Sequence, residues 1–164
     1  MKKYTALLLL IIHLILGISS CTKDKINANE DLELFEDIME GGYHYYQNGN
    51  KLNGVAPSPH GAFKLRFNEI AFAALDSSGE LPLGAKFPDG SLIVKEIFDS
   101  NDNLKLYAIM EKEPENTFAA ENWVWAELNA DGSVNYSAGN KGAGCKGCHS
   151  GSPGRDFIRT FDFH

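Results

Sequence analysis

In Pro88-Asp89-Gly90-Ser91-Leu92-Ile93-Val94-Lys95-Glu96-Ile97-Phe98 a turn runs straight into a strand. Proline presets φ at the first corner, aspartate bonds its own backbone, and glycine accepts the positive φ that closes the turn. Ile93, Val94, Ile97 and Phe98 are β-branched or aromatic, the types that suit a pleated surface. Ser91 to Phe98 is therefore the clearest strand in the chain. Its alternation does not say which face is buried. Lys95 shares a side with Ile93 and Ile97, while Leu92, Val94 and Phe98 share the other with Glu96.

Upstream, Phe63, Leu65 and Phe67 alternate with Lys64, Arg66 and Asn68, as a half-buried strand would. Asn68 suits the N-cap of a brief helix from Glu69 to Leu75, which ends before Ser77-Ser78-Gly79. Downstream, strands are expected at Leu104 to Glu111 and Trp123 to Leu128. The Asn129-Ala130-Asp131-Gly132 turn leads the second of these into Val134 to Tyr136 as a hairpin. Residues 30–40 carry Leu32, Phe35, Ile38 and Met39 near helical spacing, which predicts a short amphipathic helix stopped by Gly41 and Gly42. After the aromatic stretch Tyr43 to Tyr46, the Asn-, Gly- and Pro-rich Gln47 to Pro59 reads as a loop. Sequential strands joined by turns, with helices mostly in the first half, predict an α+β fold: mainly antiparallel β-sheet with flanking helices.

The first 20 of the 164 residues read as a lipoprotein signal peptide. Lys2 and Lys3 precede an apolar run from Ala6 to Leu16, well short of the roughly 20 residues a spanning helix needs. Leu16-Gly17-Ile18-Ser19-Ser20 before Cys21 resembles a bacterial lipobox, in which Cys21 carries the lipid. Lipid tails bury CH2 groups in the bilayer, so the mature chain would sit on a membrane without spanning it. Residues 21–29 then form a polar tether, and residues 30–164 one domain. Removing Lys2 and Lys3 leaves 13 basic against 22 acidic side chains, a formal charge of about −9. Nucleic acid is excluded as a partner on that charge, because its binding needs clustered Lys and Arg.

With Cys21 lipidated, the remaining cysteines fall in one motif, Cys145-Lys146-Gly147-Cys148-His149. C-x-x-C-H is the attachment signature of c-type haem. Two thiols three positions apart can each form a thioether to a haem vinyl group, and the next histidine reaches the iron. Gly142, Gly144 and Gly147 let backbone approach a large flat ring. Zinc would want four protein ligands, and no second C-x-x-C or H-x-x-H is present. A redox dithiol would want a thioredoxin-like β-α-β setting, which is also missing. No methionine follows residue 149; Met39 and Met110 are available as ligands but read more simply as core, and His44, His60 and His164 could in principle ligate iron but read more simply as surface or satisfied histidines. A five-coordinate iron with an open distal face is therefore expected, suited to small molecules rather than to electron transfer alone.

His60-Gly61, Phe63-Lys64-Leu65-Arg66, Phe87-Pro88-Asp89-Gly90 with its strand ending in Lys95-Glu96, Asn122-Trp123 and the C-terminal haem motif together resemble the cytochrome P-460 family. The resemblance spans residues 43–164. It implies a mostly antiparallel sheet with flanking helices, a homodimer, and one five-coordinate haem c per chain. Its enzymatic members are haem oxidoreductases that oxidise hydroxylamine or nitric oxide and pass electrons to a redox partner protein. By motif position Lys95 would be the lysine joined to the porphyrin and Arg66 the distal arginine. A distal carboxylate also occurs in such members, and Glu111 and Glu113 lie in a region where the register is open. The related cytochrome c′-beta proteins lack the lysine link and bind nitric oxide or carbon monoxide in an apolar pocket.

Taken from the residues alone, Lys95 also suits a strand edge pointing to water, and Arg66 suits a surface salt bridge. The expected assignments are Cys145 and Cys148 as thioether anchors, His149 as proximal ligand, Lys95 as cross-link and Arg66 as distal charge. The place is the bacterial cell envelope, lipid-anchored, facing the periplasm or the exterior. Nitric oxide binding without turnover, and simple electron transfer, remain the alternatives.

Overall fold

A computed structural model describes residues 27–56 and 58–164. The expected signal peptide, Cys21 and most of the expected tether lie outside the described residues. Seven strands form one sheet: β1 (His44–Tyr45), β2 (Leu52–Asn53), β3 (Ala62–Phe67), β4 (Leu92–Phe98), β5 (Leu104–Lys112), β6 (Trp123–Asn129) and β7 (Val134–Tyr136). Their order is β1-β3-β4-β5-β6-β7, with β2 also beside β3, and every pairing is antiparallel. From β3 onward each strand lies next to its sequence neighbour; short turns join β4 to β5 and β6 to β7, as antiparallel pairing allows, while residues 68–91 make a longer connection from β3 to β4. The fold is α+β, as the strand and turn signals predict.

The ambiguity in β4 has a simple cause: both faces of the sheet are covered, so both read as apolar. Phe63, Leu65, Phe67, Ile93, Ile97, Met110, Trp123 and Trp125 pack on one face with Phe87, Ile158 and Phe161. Leu92, Val94, Ile109, Val124, Ala126 and Leu128 pack on the other with Leu34 and Ile38. Full burial of each such side chain contributes roughly 1.5–3 kcal/mol, so the sheet centre dominates the stability.

The second face is covered by helix α1, residues 27–39. It begins earlier than expected and takes in the last three residues of the expected tether. Its buried face also differs from the expected one. Asp31, Leu34 and Ile38 are buried, whereas Leu32 and Met39 are 54% and 57% exposed. At 100° per residue Leu32 and Met39 stand about a quarter-turn from the Asp31–Leu34–Ile38 stripe. Asp31 is buried because its Oδ1 accepts from the Ala138 N–H at 2.7 Å. Gly41 and Gly42, at φ 88° and 75°, end the helix as anticipated.

Asn68 caps α2 (Glu69–Ala73), accepting from the Ala71 N–H at 3.0 Å. It also accepts from the Leu92 N–H at 3.0 Å and donates to the Gly90 carbonyl at 2.8 Å, so one side chain ties helix, turn and β4 together. The expected loop Gln47 to Pro59 contains β2, a two-residue strand too short to show a period. Short helical turns continue through the second half at Ala138–Asn140, Lys146–His149 (α3) and Arg159–Asp162. Among the described residues no helix is long and apolar enough to cross a membrane.

Candidate functional site

A cavity with about 1090 Å3 of empty space, its open mouth included, lies against the Phe63 face of the sheet. Three segments remote in sequence meet there: the approach to β3 with Ser58 and His60, α3 with Cys145, Cys148 and His149, and the C-terminal run with Arg159 and His164. The floor is the sheet. Leu65 pairs with Lys95, Lys95 with Ala108, and Ala108 with Glu127, so these four form a row across the strands. All four line the cavity.

The approach to α3 depends on Gly142. At φ 61° its Cα passes so close to Trp125 that a Cβ would stand 2.7 Å from the indole. Its carbonyl accepts from the N–H groups of Cys145 and Lys146, both at 3.0 Å. The single turn of α3 then brings Cys145, Cys148 and His149 to one side, because positions i, i+3 and i+4 share a helix face. Both thiols are free. Burial, with the charge of Glu127, pushes the Cys145 thiol up to about 11.

His149 is oriented as a metal-binding imidazole would be. Its Nδ1 lies 2.8 Å from the Phe157 carbonyl, so Nδ1 carries the proton and Nε2 keeps its lone pair. The ring meets Trp125 edge-on at 5.1 Å. Burial, reinforced by the charges of Lys95 and Arg159, lowers it to about 4, and the bond to Phe157 only partly opposes this. His149 is therefore neutral at neutral pH.

Lys95 points into the cavity. Its Nζ lies 4.2 Å from the centre of the Phe63 ring. Burial lowers the amine to about 8, with the charge of Arg159 acting the same way and Cys148 against it. His60 also lines the cavity and is lowered to about 4, chiefly by burial and then by Lys95 and His149. Arg159 donates from Nη1 to the Cys148 carbonyl at 3.2 Å and to Sγ at 2.6 Å. Its Nε is buried without a partner.

Arg66 requires a correction. The pleat turns it to the opposite face of the sheet, because β3 sends Phe63, Leu65 and Phe67 to the cavity side and Arg66 to the α1 side. There its Nη2 donates to the Ile38 carbonyl at 2.9 Å and its Nε faces Glu96 at 3.0 Å. The guanidinium stacks over Tyr43 at 4.2 Å. Arg66 is a buried structural ion pair, not a distal group. Glu111 likewise projects toward α1, where burial and then Glu113, Asp37 and Glu30 push it up to about 7. Met39 is exposed rather than core, and His44 stacks on Phe72 at 4.0 Å, away from the cavity.

The carboxylate that does line the cavity is Glu127, whose Oε2 accepts from Asn135 at 2.7 Å. Its parity with Trp123 and Trp125 was visible in sequence, but nothing there said that this side faced a cavity. Arg159 carried no signal at all.

Among the described residues no three His, Cys, Asp or Glu side chains converge on a metal ion. A porphyrin iron brings most of its own ligands. The donor set fits such a group: two free thiols, one neutral imidazole and an unpartnered arginine nitrogen around an apolar cavity.

Sheet, cavity and donor set thus define a class, α+β proteins built on one antiparallel sheet with a cavity against one face. The family model for Cytochrome P460 matches residues 46–160, and the chain belongs to the cytochrome P460 family, a family of haem proteins. Comparison with curated proteins finds no match.

Proposed function

We propose that this chain carries one covalent haem c and acts as a haem oxidoreductase on hydroxylamine or nitric oxide. The observation that carries the reading is Lys95, a desolvated amine on the floor of the same cavity that holds Cys145, Cys148 and His149. Cys145 and Cys148 would add their S–H bonds across the two vinyl groups. His149 would ligate through Nε2, with Nδ1–H held by Phe157. The unpartnered Nε of Arg159 suits an anionic edge of the cofactor. When bound, the haem supplies the site for a small nitrogen compound and a path for its electrons.

The chain's own part is positioning and proton handling. Lys95 is the candidate for the porphyrin cross-link. Glu127 has Oε2 held by Asn135, which leaves Oε1 to accept protons that an oxidised hydroxylamine gives up. Electrons would leave to a redox partner protein. Lipidation at Cys21 would place the protein at the cell envelope, facing the periplasm or the exterior, and pairing as a homodimer belongs to the same reading.

The test is the optical spectrum of the reduced holo-protein, followed by hydroxylamine oxidation with an artificial electron acceptor. The expected result is a Soret band far to the red of ordinary c-type haem, lost in Lys95→Ala, together with turnover. An ordinary high-spin spectrum without turnover would overturn it. The apolar cavity wall of Phe63, Leu65, Ile93 and Ala108 then favours a second reading, nitric oxide binding in the manner of cytochrome c′-beta.

A further inference from the structure

The hydrogen bond that orients His149 ends on a strained turn. Residues 155–158 close on themselves, with the Ile158 N–H donating to the Arg155 carbonyl at 2.9 Å. Both central residues have positive φ, 47° at Asp156 and 71° at Phe157. That is the pattern of a type I′ turn, whose central positions ordinarily take Gly, Asn or Asp. A phenylalanine there needs support from outside the turn.

The Asp156 side chain supplies it. The residue is buried, and its Oδ2 accepts from the Phe87 N–H at 3.0 Å and from Lys112 Nζ at 2.9 Å. Its Oδ1 accepts from Lys112 Nζ at 3.1 Å and from Lys86 Nζ at 3.2 Å. Lys112 is buried too, and its backbone is tied to the turn before β4. The Gly90 N–H donates to the Lys112 carbonyl, and the Lys112 N–H to the Ser91 carbonyl, both at 2.8 Å. Phe87, Lys112 and Asp156 do not line the cavity. They nevertheless form one chain of contacts that runs from the Pro88-Asp89-Gly90 turn through Asp156 and the Phe157 carbonyl to His149 Nδ1.

That carbonyl also sets how strongly His149 can bind. An imidazole whose Nδ1–H is held by an acceptor is the more basic at Nε2. Hydrogen bonding behind an axial ligand is one lever by which a protein tunes haem iron, and a more basic ligand favours the ferric state.

We propose that Asp156 is a positioning residue for the haem iron: by holding the turn at 155–158 it keeps the Phe157 carbonyl on His149 and so sets the reduction potential. The assignment rests on the haem attachment proposed above. It gives the turn before β4, which stands outside the cavity, a part in the chemistry.

Resonance Raman of the ferrous holo-protein reads the iron–histidine stretch, and a redox titration reads the potential, at equal covalent haem counted by pyridine haemochrome. Asp156→Ala should lower the stretching frequency and shift the balance toward ferrous iron roughly tenfold, a rise of about 59 mV for one electron. Asp156→Asn sets an amide NH2 against Lys112 in place of one oxygen, and should shift both readings the same way by about threefold. Arg66→Met breaks a buried ion pair on the other face of the sheet and should move neither. Wild-type readings in a folded Asp156→Ala or Asp156→Asn protein, or equal shifts in Arg66→Met, overturn the assignment while the haem reading stands. A chain that carries no covalent haem overturns the proposed function instead. Proton NMR of that apo-protein then decides the positioning: His149 Nδ1–H should resist exchange in the wild type and lose that protection in Asp156→Asn, and equal protection overturns it.

Discussion

The Phe157 carbonyl that accepts from His149 Nδ1 at 2.8 Å belongs to the residue after Asp156, the buried anion paired with Lys112 at 2.9 Å. Asp156 and Phe157 both adopt positive φ, 47° and 71°, a conformation that costs a non-glycine residue about 1–3 kcal/mol. The strain is held in place by Asp156, which also accepts from the Phe87 N–H at 3.0 Å and from Lys86 at 3.2 Å. Asp156→Ala strands the buried Lys112 ammonium and should cost about 3–5 kcal/mol. Asp156→Asn, which keeps an acceptor for Phe87, should cost less. Chemical denaturation of both variants reads the difference. Covalent haem content should fall further in Asp156→Ala, because His149 loses its orienting carbonyl.

Arg66 gives a sharper separation of structure from function. Arg66→Met removes the bond to the Ile38 carbonyl and leaves Glu96 without its cation on a half-buried strand face. A loss of about 2–4 kcal/mol is expected, since a buried group stripped of its partner bears the full desolvation cost. The haem spectrum and the carbon monoxide affinity should not move. A shifted spectrum in a folded Arg66→Met protein would return Arg66 to the cavity.

The strands were legible where turn chemistry met β-branched runs, as at Pro88-Asp89-Gly90 before β4, and α2 was legible from its Asn68 cap. C-x-x-C-H was legible because its chemistry is local: five residues on one helical turn. Which side of β3 faced the cavity was not. A sheet covered on both faces alternates between two apolar sets, and the pleat alone sends Arg66 away from Lys95. Glu127 and Arg159 were hidden for another reason. They reach the cavity from segments about thirty residues apart, and no sequence period links them.

Glu111 supplies a pH dependence. Its carboxyl sits between the sheet and α1, where burial, then Glu113, Asp37 and Glu30, raise it from 4.5 to about 7. Between those values the folded chain binds more protons than the unfolded one, so stability falls as pH rises. Its contribution is complete below pH 4.5 and is lost as pH passes about 7. Glu111→Gln cannot ionise and should flatten the stability profile across that window, becoming more stable than wild type at pH 8. Denaturation midpoints at pH 5 and pH 8 check this. Equal pH dependence in both proteins would place the titration elsewhere.

Gly142 lies just before the haem motif and Gly147 inside it, and the two should respond differently to alanine. Gly142 has φ 61°, and its added Cβ would meet Trp125 at 2.7–2.9 Å. The indole cannot retreat freely, because its Nε1–H is bonded to the Ala120 carbonyl at 3.0 Å. Gly142→Ala therefore combines backbone strain with overpacking and should cost about 1–3 kcal/mol. The displaced Trp125 would push on the His149 ring 5.1 Å away, so covalent haem content should drop as well. Gly147 has no atom within 4 Å of its Cβ position and a φ that any residue adopts. Gly147→Ala should leave stability within about 0.5 kcal/mol of wild type, as surface changes away from special features do. Thermal unfolding of the two apo variants, with haem content of each after maturation, distinguishes a motif that tolerates change inside its helical turn from one pinned at its entrance by Trp125.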